Sequence, residues 1–173
     1  MGTFTKAKIL WYGTDATNSD VWVDLESIRL SLSGTEFTLF SEDVKEPMTI
    51  TTGLIGKHHV YTIMSALLVF QAVQAFMGTN VSIDRPVLRG VEVLIDTFKN
   101  LKPLKGRMSV EPGPLGTTVL NDSLRANPSS IAAGLETLSQ IDYTGGKKIA
   151  ILAEMGELEH PEEEHIKIGK LIG

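Results

Sequence analysis

Asn121-Asp122-Ser123-Leu124-Arg125-Ala126-Asn127-Pro128-Ser129-Ser130 and, further on, Ile149-Ala150-Ile151-Leu152-Ala153-Glu154-Met155-Gly156-Glu157-Leu158 decide the fold class of this chain. The first stretch follows the apolar run Thr117-Thr118-Val119-Leu120, so the order predicts strand, polar loop, helix, strand, loop. An α/β domain places polar loops in this way at the carboxyl ends of its strands, where such sheets bind ligands. The pattern locates a site near Asp122 without naming its chemistry.

Within that stretch, Asn127 and Pro128 read as the start of a helix, with Asn127 as the cap and Pro128 in the first helical position. Pro161 starts a second helix, with Glu162 to Glu164 at its positive end and Lys167 and Lys170 near the other. Upstream the periodicity is that of strands. Lys8 to Tyr12 is a strand candidate, followed by a loop over Gly13 to Asp20. Val21, Val23 and Leu25 alternate, then Ile28, Leu30 and Leu32 alternate out of phase, which predicts a break near Glu26 and Ser27. Ser33-Gly34-Thr35 turns into Phe37 to Phe40, and Met48 to Thr52 adds another strand, giving an antiparallel sheet. The period then becomes helical: Val60, Ile63, Met64, Leu67 and Val73 to Phe76 predict a buried helix closed by Gly78. Asp84-Arg85-Pro86 predicts another helix, capped by Asp84 and running to about Phe98. The basic, proline-bearing segment Asn100 to Gly106 reads as a linker, with a domain boundary near Pro103.

Composition narrows the function classes. A chain of 173 residues fits one large or two small domains, and 42% apolar with 21% charged residues is ordinary for a globular protein. A net charge of −5 carries no electrostatic footprint for nucleic acid. Without cysteine there is no disulfide framework, thiolate metal site or cysteine nucleophile. The amino terminus lacks the apolar core of a secretion signal. The most apolar segment, Ile63 to Met77, is broken by polar residues and falls short of the roughly 20 residues that cross a bilayer. The expectation is therefore a chain with neither nucleic-acid nor membrane partners.

Taken alone, the polar residues keep two readings each. Arg107, next to a glycine, is either a surface arginine in an interdomain ion pair or an anion-holding fork. Asp122 is a turn aspartate or a carboxylate offered to ligand hydroxyls. Asn127 is a cap, although a helix amino terminus also offers free amides to an anion. His58 and His59 are adjacent on a helix and diverge by about 100°, which makes them poor metal co-ligands. Glu154, Glu157, Glu159, His160 and His165 are explained by the solvated start of a helix, so no metal site is expected.

Arg107, the Asp122-Ser123-x-x-Ala126-Asn127-Pro128-x-Ser130 run and the Ala150-Ile151-Leu152-x-Glu154-Met155-x-Glu157-Leu158 run together resemble the carboxyl-terminal domain of the Mur ligases. Gly56-Lys57-His58-His59-Val60-Tyr61-Thr62-Ile63-Met64-Ser65-Ala66 resembles that family's Gly-x-His-Asn-x-x-Asn-x-x-Ala-Ala motif, with His59 and Thr62 in place of both asparagines. The branch resembled most joins D-alanyl-D-alanine to a UDP-N-acetylmuramoyl tripeptide. The resemblance implies an α/β chain: residues 1–103 as the carboxyl-terminal part of a central ATP-binding domain of antiparallel strands and helices, and 104–173 as the first part of a Rossmann-like ligase domain. It also implies a cytoplasmic, ATP-dependent and Mg2+-dependent amide ligase of peptidoglycan precursor synthesis that passes through an acyl phosphate. Arg107, Asp122, His58, His59 and Thr62 would face the nucleotide. Ser123, Arg125 and Asn127 would lie near the incoming amino acid or dipeptide, with Arg125 where the branch has asparagine.

Such a ligase needs a Gly-x-x-x-x-Gly-Lys-Ser/Thr loop to hold the transferring phosphoryl group. The Gly-Lys pairs here, at Gly56, Gly146 and Gly169, are followed by His58, Lys148 and Leu171. The expectation is thus a piece of a ligase, inactive alone, and the rival is a non-catalytic binding or scaffold module that keeps the same fold.

Overall fold

The computed structural model describes residues 9–41, 44–78 and 92–172. Its first sheet has five strands: β1 (Tyr12–Gly13), β2 (Val21–Val23), β3 (Arg29–Ser31), β4 (Gly34–Ser41) and β5 (Val44–Thr52). β4 is the hub. It pairs antiparallel with β2, β3 and β5, and β1 adds to β2 in parallel. The expected break in alternation is a single 3-10 turn, Leu25–Ser27, capped by the Asp24 carboxylate accepting from the Glu26 N–H at 3.0 Å. That turn shifts the phase between β2 and β3.

Along β4 the inward residues are Thr35, Phe37, Leu39 and Ser41, the period-2 pattern of a sheet with one face covered. The cover is helix α1 (His58–Phe76), whose Val60, Ile63, Met64, Leu67 and Leu68 form one core with Val21, Val23, Phe37, Leu39 and Ile50. Helix α2 (Glu92–Asn100) closes this core with Phe98. The start expected for α2 at Asp84 lies outside the described residues, as does Lys8; of the strand expected from Lys8 to Tyr12, only Tyr12 lies in a strand, β1. Only the first part of α1 is buried as its composition predicted. Val69, Val73 and Phe76 stand exposed because, among the described residues, only its sheet-facing side is covered. By length and composition alone α1 is also apolar enough to cross a membrane.

Beyond Asn100 the chain builds an antiparallel pair, β6 (Ser109–Pro112) and β7 (Thr118–Asn121), then helices α3 (Pro128–Gln140) and α4 (Pro161–Ile172). The strand expected over Ile149 to Leu152 is absent. These residues pair with no neighbour among the described residues, and Ile149 and Ile151 are exposed. β-branched sequence favours extended backbone, but a strand exists only where another strand takes up its N–H and C=O groups. A second buried cluster, Leu30, Ile55, Met108 and Ile141, joins β3 and the approach to α1 with β6 and the end of α3. The backbone of Asp142 donates to Leu30 O across the same seam, at 3.2 Å.

Candidate functional site

β7 ends at Asn121, which delivers Asp122 just past that strand's carboxyl end. Asp122 Oδ1 accepts the Met108 N–H at 3.2 Å, and among the described residues Oδ2 receives no hydrogen bond. The Gly106-Arg107-Met108 turn that presents this amide is tightly wound. Gly106 and Met108 both take positive φ, 77° and 54°, and the Arg107 N–H donates to Leu104 O at 2.9 Å. Leu124 N–H donates to Gly106 O at 3.0 Å, continuing the register of the β6–β7 ladder and tying the Asp122 loop to the Arg107 turn. Partial burial raises the Asp122 pKa above the ordinary carboxylate value, and the Met108 amide and the Arg107 and His58 charges oppose the rise.

His58 reaches this group from the other side of the seam. It opens α1, and its ring lies against Gly56, whose φ is +125°; a Cβ there would sit 2.6 Å from His58 Cε1. Burial depresses the His58 pKa, and the Asp122 charge offsets part of that. The His59 ring is tilted against it, centroids 4.1 Å apart, and its pKa falls to about 4, through burial first and the His58 charge second. Lys57 bonds Glu136 of α3 at 3.0 Å, so the same turn is pinned to the second half.

The structure thus brings together Arg107, Asp122, His58 and His59. Thr62, one turn further along α1, is exposed. Ser123 is exposed, its backbone N–H donating to Asn121 Oδ1 at 3.2 Å. Asn127 forms a full capping box: its Oδ1 accepts the Ser130 N–H at 2.9 Å, and its own N–H donates to Ser130 Oγ at 3.0 Å. Arg125 takes a φ of +55°, a conformation that costs an arginine about 1–2 kcal/mol. Its guanidinium makes no hydrogen bond or ion pair among the described residues. No three histidine or carboxylate groups converge on a metal position among the described residues. Both nitrogens of His165 are committed, Nε2 accepting the Met155 N–H at 3.0 Å and Nδ1 donating to Pro161 O at 2.6 Å. Met108's amide, Lys57 and Glu136 escaped the sequence reading; each acts through a partner distant in sequence, and no local motif marks them.

No family model matches the chain. The UDP-N-acetylmuramoyl-tripeptide--D-alanyl-D-alanine ligase of Mycobacterium tuberculosis (strain ATCC 25618 / H37Rv) is 30% identical over 176 residues, which is 99% of this chain. The ligase of that name from Bacillus subtilis is 28% identical over 93% of it. The crystal structure of MurF from Acinetobacter baumannii superposes with a TM-score of 0.67 over 95% of the chain at 21% identity, which supports the fold. This chain belongs to the Mur ligase family. The UDP-N-acetylmuramoyl-L-alanyl-D-glutamate--2,6-diaminopimelate ligase of Bacillus cereus, another Mur ligase, is 30% identical over 79% of the chain. The chain spans about a third of its relatives' length, 31% for the M. tuberculosis and B. subtilis ligases and for the A. baumannii structure. Its fold is the mixed α/β arrangement expected of a Mur ligase segment.

Proposed function

We propose that this chain is the nucleotide-facing segment of an ATP-dependent carboxylate–amine ligase that extends a UDP-N-acetylmuramoyl peptide in the cytoplasm, with D-alanyl-D-alanine as the incoming amine. The observation that carries this reading is the meeting of Arg107, Asp122 and His58 across the seam, in a chain of this family. Residues 1–103 would then belong to the central ATP-binding domain and 104–173 to the ligase domain. The site would lie where the two meet.

The residues fit a nucleotide. Asp122 Oδ2 is an open acceptor beside a fixed Oδ1, which suits a ribose hydroxyl. Arg107 supplies a permanent charge for phosphate oxygens. His58, exposed at the start of α1, and the part-buried His59, whose pKa is lowered to about 4, would offer ring faces and nitrogens to a base. Arg125, with its guanidinium free of hydrogen bonds among the described residues, would receive the carboxylate of the incoming amine near the start of α3. Magnesium would neutralise phosphate charge when bound; the described residues hold no donor set for it, so its ligands belong elsewhere in the longer enzyme. In this reading the tripeptide carboxylate takes the γ-phosphoryl group, giving an acyl phosphate, and the amine then displaces phosphate. The chain's part is to orient the partners and stabilise charge.

The test is phosphate release by the full gene product with ATP, magnesium, the UDP-linked tripeptide and D-alanyl-D-alanine. Release should require both substrates, and Asp122→Ala and Arg107→Ala should raise KM for ATP. A full gene product that binds these ligands and releases no phosphate would instead support the non-catalytic module.

A further inference from the structure

We infer that Thr35, remote in sequence from every residue of the site, is the positioning residue for the turn that presents His58. Thr35 is fully buried on β4, on the same face as Phe37 and Leu39. At such a place in a core strand the alternation calls for an aliphatic side chain, and valine would match the outline of threonine. The hydroxyl has another use. Thr35 Oγ1 donates to Leu54 O at 2.8 Å and accepts the Gly56 N–H at 3.1 Å. It thereby grips both sides of the short connection between β5 and α1, where the chain leaves the sheet. The cross-strand partner of Thr35 is Thr52, whose Oγ1 accepts the Leu54 N–H at 3.3 Å. Two threonines opposite one another hold the backbone of this connection.

The position of Gly56 decides the position of the His58 ring. At a φ of +125°, where an added Cβ would fall 2.6 Å from His58 Cε1, 2.9 Å from Nδ1 and 3.2 Å from Thr137 Oγ1, Gly56 is the floor on which the imidazole and α3 both rest. Its carbonyl accepts the His59 N–H at 3.1 Å, so it also starts the helix. A Gly56 freed from Thr35 would let the ring and the first turn of α1 move relative to Asp122. The threonine hydroxyl therefore acts on the site through one amide, without touching a ligand. The consequence for nucleotide affinity rests on the reading of this turn as nucleotide-facing.

The experiment follows amide hydrogen exchange by NMR in the 173-residue chain and in T35V and T35S, and ATP affinity by titration of the full gene product carrying the same substitutions. In T35V the Gly56 amide should exchange at least about tenfold faster, the size expected for one lost buried hydrogen bond, while Phe37 and Ile50 keep their protection. T35S, which keeps the hydroxyl, should restore Gly56. ATP binding should weaken about tenfold in T35V and recover in T35S. Unchanged Gly56 exchange in a folded T35V, or equal loosening of Phe37 and Ile50, overturns the inference. Gly56 loosening with rescue by T35S, in a chain whose ATP affinity does not follow, leaves the positioning role standing and removes the nucleotide reading. Should T35V not fold, the wild-type chain still decides. Its Thr35 hydroxyl proton, bonded to Leu54, should exchange slowly and give a cross-peak to the Gly56 amide, and absence of that signal overturns the inference.

Discussion

Replacing Ile55 by alanine tests whether the two halves of the chain form one cooperative structure. Ile55 is 1% exposed and belongs to the cluster of Leu30, Met108 and Ile141, which draws on both sides of the seam. The substitution removes three carbons, worth about 2.5 kcal/mol of transfer free energy at ~0.8 kcal/mol each. The cavity left between three buried neighbours adds to this, within the roughly 2–5 kcal/mol seen for such truncations. In urea, with a slope of about 1–3 kcal/mol per molar, the midpoint should fall by about 1–3 M, and Tm by roughly 5–15 °C. Unfolding would be followed by tryptophan fluorescence, since both tryptophans, Trp11 and Trp22, lie before the seam, and by far-UV circular dichroism, which reports helices on both sides. The two transitions should coincide in the parent chain and move together in the variant. A fluorescence transition that stays within about 0.5 kcal/mol of the parent while the dichroism shifts would refute the argument, because the first sheet would then be stable without the seam.

Stability should also depend on pH through His59. Its pKa is held at about 4 in the fold against 6.5 for the free side chain, so the unfolded chain takes up the proton first. This contribution is complete above about pH 7, is lost as pH falls from 6.5 to 4, and amounts to at most about 3 kcal/mol. Denaturant titrations across that window should show a flatter profile for His59→Gln. Asn127→Ala removes the side-chain half of the capping box, the Oδ1 that accepts the Ser130 N–H, and should cost about 1 kcal/mol, read as a lower urea midpoint with an unchanged slope. Leu115, fully exposed at the β6–β7 turn with φ 55° and ψ 30°, loses no burial on replacement. Leu115→Asn should therefore raise stability by about 0.5 kcal/mol, and a lower Tm for this variant would count against the strain assigned there.

What the sequence made legible is what is decided within a few residues. The Asn127 cap meets its partner at Ser130, and the phase break near Glu26 and Ser27 became a turn capped by the adjacent Asp24. Asp122 at the end of an apolar run was readable for the same reason. The Lys57–Glu136 pair spans 79 residues and the Gly56–Thr35 bond 21, and no local pattern anticipates either. Ile149 to Leu152 carries strand composition without a strand's neighbour, so propensity there had nothing to act on. Arg125 at positive φ is the opposite case: the residue type argues against the conformation, and the loop pinned by Leu124 to Gly106 imposes it.

That contrast explains where the site sits. Each half can build its own sheet from local signals, but neither can place a histidine beside an aspartate of the other. The groups that do so are the Thr35 hydroxyl, which holds Gly56 from within the first half, and two contacts across the seam: an ion pair from Lys57 to α3 and the apolar cluster below. The ion pair is the weakest of these, since both side chains are partly solvated and such pairs contribute about 0–1 kcal/mol. Lys57→Met should therefore leave the urea midpoint within about 0.5 M of the parent, whereas Ile55→Ala should not. If the two variants were equally damaging, charge rather than apolar contact would be setting the distance between His58 and Asp122, and raising the salt concentration would then loosen the site as effectively as either substitution.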